Sequence, residues 1–125
     1  MLTKMYVFMS ACTGGELDDH NTGALHDTLN NQRWVWEPLK GVYKGAEEDS
    51  VVVQVDDFSD VGSLVRIAEQ YNQESIMIRD ARGKCFLYYL NDRRMESIGL
   101  MFQTDIKPTT DSYSMNMSGL YFYTL

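Results

Sequence analysis

Cysteine is nearly absent from this chain of 125 residues, which has two, Cys12 and Cys85. Two cysteines make no disulfide framework, and without a Cys-x-x-Cys pair they suggest neither a zinc site nor a redox couple. Each reads as a small buried hydrophobe in a reducing compartment. Long hydrophobic runs are absent too. No segment approaches the ~20 apolar residues that span a bilayer. The apolar run of residues 5–9 is too short for a signal peptide and already alternates as a strand does. A soluble, cytoplasmic protein with no membrane partner is expected. Basic clusters are also missing. The net charge is -7, and the densest basic pair, Arg93-Arg94, lies beside Asp92 and Glu96, so no nucleic-acid partner is expected. An acidic mimic of DNA is disfavoured in turn, because 18 acids are offset by 11 bases with no long acidic run.

Catalytic signatures are equally sparse. There is no Gly-x-Ser-x-Gly motif, no triad pattern of Ser or Cys with His and Asp, and no glycine spacing for a phosphate or dinucleotide loop. His20 and His26 stand six apart, so they do not share a helix face as an i, i+4 metal pair would. Even with Cys12 and Asp18 nearby no ligand spacing emerges, and no metal is assigned. Acid–base work would fall to carboxylates, Tyr43 or the two histidines.

What is present is ordinary globular material, 44% hydrophobic and 23% charged, in a length that suits one domain over residues 1–125. Residues 4–10 form an apolar run suited to a central strand. Asn21 or Thr22 can cap a helix reaching about Asn30, with Leu25 and Leu29 on one face. Residues 33–43 read as a strand placed at an edge or bulge by Pro38. Val61, Leu64, Val65, Ala68 and Tyr71 carry the clearest helical period. Residues 75–79, 84–90 and 95–103 read as further strands. Residues 104–111 are a loop around Pro108, and about 104–125 is a C-terminal extension in which Tyr113, Met115 and Met117 alternate as an edge strand would. The order βαββαβ predicts an α+β, ferredoxin-like sandwich: an antiparallel sheet with both helices on one face. Its bare face needs a cover, and the surplus of methionine and aromatic residues makes self-association the expected one.

Residues 41–53 (Gly-Val-Tyr-Lys-Gly-Ala-Glu-Glu-Asp-Ser-Val-Val-Val) stand out. They read as a strand end, a short acidic turn and the start of a buried β-branched strand. Gly41 and Gly45 bracket Tyr43 and permit a bend or a close approach. Glu47, Glu48 and Asp49 cluster three carboxylates where a rigid strand begins. That arrangement can hold a cation; it is also what a solvated hairpin looks like.

Beyond these residues the argument rests on likeness. Tyr-Val-Phe-Met-Ser-Ala at the first strand, Thr-Leu in the first helix and Gly-Val-Tyr-Lys occur in order. Glu-Glu-Asp-Ser-Val-Val-Val and Ala-Glu-Gln-Tyr-Asn-Gln-Glu-Ser-Ile-Met-Ile follow them. In order and spacing this resembles the phage-encoded S-adenosylmethionine-degrading enzymes over the first three-quarters of the chain. The resemblance implies a PII-like trimer with active sites between subunits. It also implies a lyase that cleaves S-adenosylmethionine to 5′-methylthioadenosine and L-homoserine lactone. The substrate's own carboxylate attacks the carbon attached to sulfur and the thioether leaves, so no cofactor is required. The implied role is to deplete the methyl donor of host restriction–modification systems in the host cytoplasm. By position, Glu48 would hold the ribose hydroxyls or complement the cation, with Glu47 its alternate. Tyr43 would orient the substrate near sulfur. Ser10, the backbone around Ala11, Gln73 and Glu74 would bind adenine or the amino-acid end. Gln73 also reads as a plain polar helix end. The competing reading from another class is a non-catalytic, PII-like trimeric nucleotide sensor, which would return its ligand unchanged.

Overall fold

The computed structural model describes residues 4–125. Eight strands and two helices follow one another as β1 (Met5–Met9), α1 (Asp18–Asn31), β2 (Val35–Tyr43), β3 (Ala46–Val55), α2 (Phe58–Gln70), β4 (Ser75–Arg79), β5 (Lys84–Tyr89), β6 (Met95–Thr104), β7 (Tyr113–Asn116) and β8 (Tyr121–Thr124).

Period-two alternation sorts the strands into two faces. On β3, Val51, Val53 and Val55 are buried beneath the helices together with Val7 and Met9 of β1 and Ile76 and Ile78 of β4. Helix α2 seals this layer with Val61, Leu64, Val65, Ile67 and Ala68; α1 adds only Leu25 and Leu29. Asp57 caps α2 by accepting the N–H groups of Ser59 and Asp60 at 2.9 and 3.3 Å. Helix α1 begins at Asp18, ahead of the expected Asn21 or Thr22. Its first-turn acids, Asp18 and Asp19, favour the positive helix end, and the Asp18 carboxylate accepts the N–H groups of Thr13 and Gly14.

The opposite sheet face overturns the expected architecture. The sheet is not an open ferredoxin-like or PII-like sandwich but a closed antiparallel barrel in the order β1-β3-β2-β7-β8-β6-β5-β4. Strands β5 and β6 continue the sheet from β4. The β7–β8 hairpin then bridges β6 and β2: Met101–Thr104 pairs with Thr124–Tyr121, and Leu39–Val42 with Asn116–Tyr113. Closure leaves no sheet edge unpaired around the ring. The face expected to await another subunit is covered within the chain, where Phe8 meets Phe122 edge to face at 6.5 Å. Leu39, Val52, Met77 and Met101 pack in the same interior. Pro38 sits just outside the β7 pairing, which starts at Leu39, so it occupies a stretch of β2 partnered on one side only.

No described helix is long and apolar enough to cross a membrane.

Candidate active site

Ser10 follows the last residue of β1 and is 5% exposed. Its hydroxyl donates to the main-chain carbonyl of Asp49 at 2.8 Å and accepts the N–H of Cys12 at 2.9 Å. The hydroxyl is therefore already spent on holding the loop against β3. Ala11 is buried, so only its backbone can serve a ligand. Cys12 lies half-buried, its Sγ 3.6 Å from both Thr22 Oγ1 and the Asp49 carbonyl. From the far side Gln73 reaches in, donating through Nε2 to the carbonyls of Cys12 at 2.9 Å and Tyr71 at 3.2 Å. That places the end of α2 beside the β1–α1 loop. Glu74 comes next in the chain, exposed just before β4; its carbonyl accepts the N–H of Leu90.

The β2–β3 hairpin extends past this cluster. Its turn is Lys44-Gly45, with φ of 51° and 83°, the left-handed pair a tight two-residue hairpin requires. The acids expected in the turn are already in β3. Register assigns their faces: Gly41 pairs with Glu48 and Tyr43 with Ala46, while Lys40 pairs with Asp49. Tyr43 and Glu48 thus share the face that continues the barrel interior. Glu47 lies on the other face with Asp49. A side chain at Gly41 would crowd the Glu48 carbonyl, 3.2 Å from the position of its Cβ, so this glycine permits close strand approach.

Within one chain the expected site residues fall into two groups. Ser10 and Gln73, with Asp49 and Cys12, form one hydrogen-bonded cluster, with Ala11 between Ser10 and Cys12 in the chain and Glu74 adjoining it. Tyr43, Glu47 and Glu48 are exposed and stand beyond it on the hairpin. β1 pairs with β3 as far as Met9 and Val51, and Glu47 lies four residues further on, about 13 Å at strand rise. Among the described residues no side-chain hydrogen bond reaches Glu47 or Glu48.

Electrostatics adds Lys40, which sequence reasoning passed over. It forms an ion pair with Asp49, and the carboxylate holds its ammonium above the usual lysine range. The signal for it was cross-strand, a Lys nine residues before an Asp around a two-residue turn. The Asp18 carboxylate is held below its usual range, chiefly by the Thr13 N–H, and so serves the loop. Among the described residues no group of three or more His, Cys, Asp or Glu is placed to hold a metal. His26 instead lies against Trp36, ring centroids 4.7 Å apart.

Fold and site together define a small, helix-backed antiparallel barrel that gathers amide, carboxylate and main-chain groups where its strands end. Residues 7–125 match the model of the S-Adenosylmethionine lyase family, and the chain belongs to that family. It is a lyase that cleaves S-adenosylmethionine to 5′-methylthioadenosine and homoserine lactone. The match extends through β7 and β8, beyond the stretch where short motifs were legible. Among curated proteins none matches the chain in sequence.

Proposed function

We propose that the reaction takes place at this end of the barrel by attack of the substrate's own carboxylate on the carbon attached to sulfur. The new C–O bond closes the lactone ring as the C–S bond breaks, and the electron pair leaves on sulfur as a neutral thioether. Nucleophile and leaving group both belong to the substrate. The protein must fold the methionyl arm into an attacking geometry and keep water away, and positioning of this kind can supply several kcal/mol. Carboxylate and sulfonium cancel their charges on the way to the transition state, so a dry pocket favours reaction. Glu48 holds the ribose hydroxyls or balances the cation, with Glu47 the alternate on the other strand face. Tyr43 orients the substrate near sulfur. The loop of Ser10 and Ala11, with Gln73 and Glu74, receives adenine or the amino-acid end.

The observation that carries this reading is the gap between the two groups of residues. Tyr43 and Glu48 project past the cluster their own chain builds. A site completed by the hairpin of a neighbouring subunit in a homotrimer brings them to it. The biological setting that suits the activity is phage infection, with the methyl donor removed in the host cytoplasm to blunt restriction–modification.

The test mixes subunits. Two variants, Glu48→Gln and Gln73→Ala, each lose turnover of S-adenosylmethionine. If sites lie between subunits, mixing the two after dissociation and reassembly restores part of the activity, because some interfaces receive both native residues. No recovery in a verified mixed oligomer, or a monomer with full activity in sedimentation, overturns the shared site. Proton NMR of the native reaction tests the chemistry: lactone appears before homoserine, whereas homoserine from the outset would refute carboxylate attack.

A further inference from the structure

The barrel opens at its other end into a cavity of about 340 Å³. On β1 its lining runs over Tyr6 and Phe8, four and two residues before Ser10, so it lies about 7 to 13 Å along the strand from the candidate active site. An eight-stranded barrel has room in its mouth for one small ligand. The walls here are of two kinds. Tyr6, Phe8 and Phe122 supply aromatic rings beside Val52 and Leu120, the buried Arg79 guanidinium already standing 6.0 Å from the Tyr6 ring centroid, and Gln54, Gln103 and Asn116 add amides. At the rim stands Glu37, exposed to solvent and, by alternation with Leu39 on β2, on the inward face. Its Oε1 lies 3.4 Å from Asn116 Nδ2, and among the described residues no Lys or Arg forms an ion pair with it.

Aromatic faces attract cations through their negative quadrupole, most strongly where water is excluded. A carboxylate at the rim of such a cavity adds the matching charge. We propose that this cavity is a second binding site, separate from the catalytic one, for the methylated onium group of a small organic cation. Two sources share that chemistry, a sulfonium such as the substrate's and a quaternary alkylammonium. An anion would be repelled by Glu37, and a neutral ligand would gain no charge attraction from the rings or from the carboxylate.

The experiment compares choline with its neutral isostere 3,3-dimethyl-1-butanol, followed by proton NMR of the ligand methyl groups at millimolar concentration. Choline binds about tenfold more tightly than the isostere, and its methyl signal moves upfield under the rings. Glu37→Gln weakens choline several-fold and leaves the isostere unchanged. Trimethylsulfonium run alongside separates the sources: competition with choline at one site assigns a general onium cavity, and binding of the sulfonium alone assigns a cavity for the substrate's class. Equal binding of choline, trimethylsulfonium and the neutral alcohol would overturn the proposal, as would no binding of either cation. Turnover of S-adenosylmethionine by Glu37→Gln is read separately and stays at the native rate. Loss of turnover together with onium binding would refute a separate site, while native turnover with onium binding lost supports it. Because the binding readout needs no catalysis, failure of the onium site and failure of the proposed active site remain distinguishable.

Discussion

Gln73 donates to the main-chain carbonyl of Cys12 over 2.9 Å, joining the end of α2 to the loop that follows β1 across 61 positions of sequence. The same Nε2 also meets the carbonyl of Tyr71. Replacing Gln73 by Ala is expected to destabilise the protein by about 1 kcal/mol, the usual net value of one such bond. Gln73→Glu is expected to cost more, because a carboxylate cannot donate and would face two carbonyl oxygens. Urea unfolding of both variants measures the difference, and equal stability of all three proteins would deny Gln73 its structural part.

Tyr43 and Glu48 are exposed, so substitution there should leave folding alone. Tyr43→Phe and Glu48→Gln are expected to keep the native unfolding midpoint and to lower turnover by about tenfold or more. Near-normal turnover in Glu48→Gln would remove that residue from the proposed site.

Gly99 holds φ of 101°, and a Cβ there would collide with the backbone of Leu125. That backbone exchanges both hydrogen bonds with Leu100. Gly99→Ala combines a conformation that L-residues avoid with loss of this pairing, and is expected to cost more than about 2 kcal/mol. Thermal unfolding checks it; an unchanged midpoint would mean the strand end is not held as described.

The Asp57 carboxylate sits below its ordinary value of 3.8, first because of the Ser59 hydroxyl and then the N–H groups of Asp60 and Ser59. A depressed carboxylate stabilises the fold above its unfolded pKa, and this contribution disappears as pH falls through the folded one. Asp57→Asn keeps an oxygen for the cap but does not titrate. The native protein should therefore lose stability below about pH 4 more steeply than the variant. Parallel acid-unfolding curves would show that the cap carries no titrating charge.

Burial pushes the Cys85 thiol up to about 11, and the thiolate is the reactive form. One thiol, that of half-buried Cys12, is expected to react with a disulfide reagent in the folded protein at neutral pH. Cys85 should follow only on unfolding. Mass spectrometry of the labelled protein identifies the site, and prompt labelling of Cys85 would contradict its burial.

The elements up to Arg79, and the strands expected over residues 84–90 and 95–103, were readable from local pattern: Val51, Val53 and Val55 at period two, Val61, Leu64, Val65 and Ala68 at helical period. Barrel closure was not readable in the same way. Tyr121 to Thr124 has no buried, alternating signature of its own, with Phe122 alone fully inside. Its placement depends on pairing with Met101–Thr104 of β6, a choice no local period encodes. In the site, Gly41 and Gly45 announced a hairpin, but the turn itself lies at Lys44-Gly45, where a lysine takes positive φ. The acids could be found by composition, whereas their division between two faces depends on register. The likeness of short motifs reached the family, but the β-barrel it is built on lay outside what those motifs carry.

Phe8 touches Phe122 at the heart of the barrel, and this has a consequence for biosynthesis. A chain leaving the ribosome can assemble the helix-covered layer once α2 and β4 are out. The greasy concave side of that layer must then wait for Met101 and, last, Phe122 of its own chain to cover it. Such distant pairings form slowly, and the half-wrapped intermediate would be the species most prone to clump. The nascent barrel is therefore most exposed to misassembly until β8 has been made.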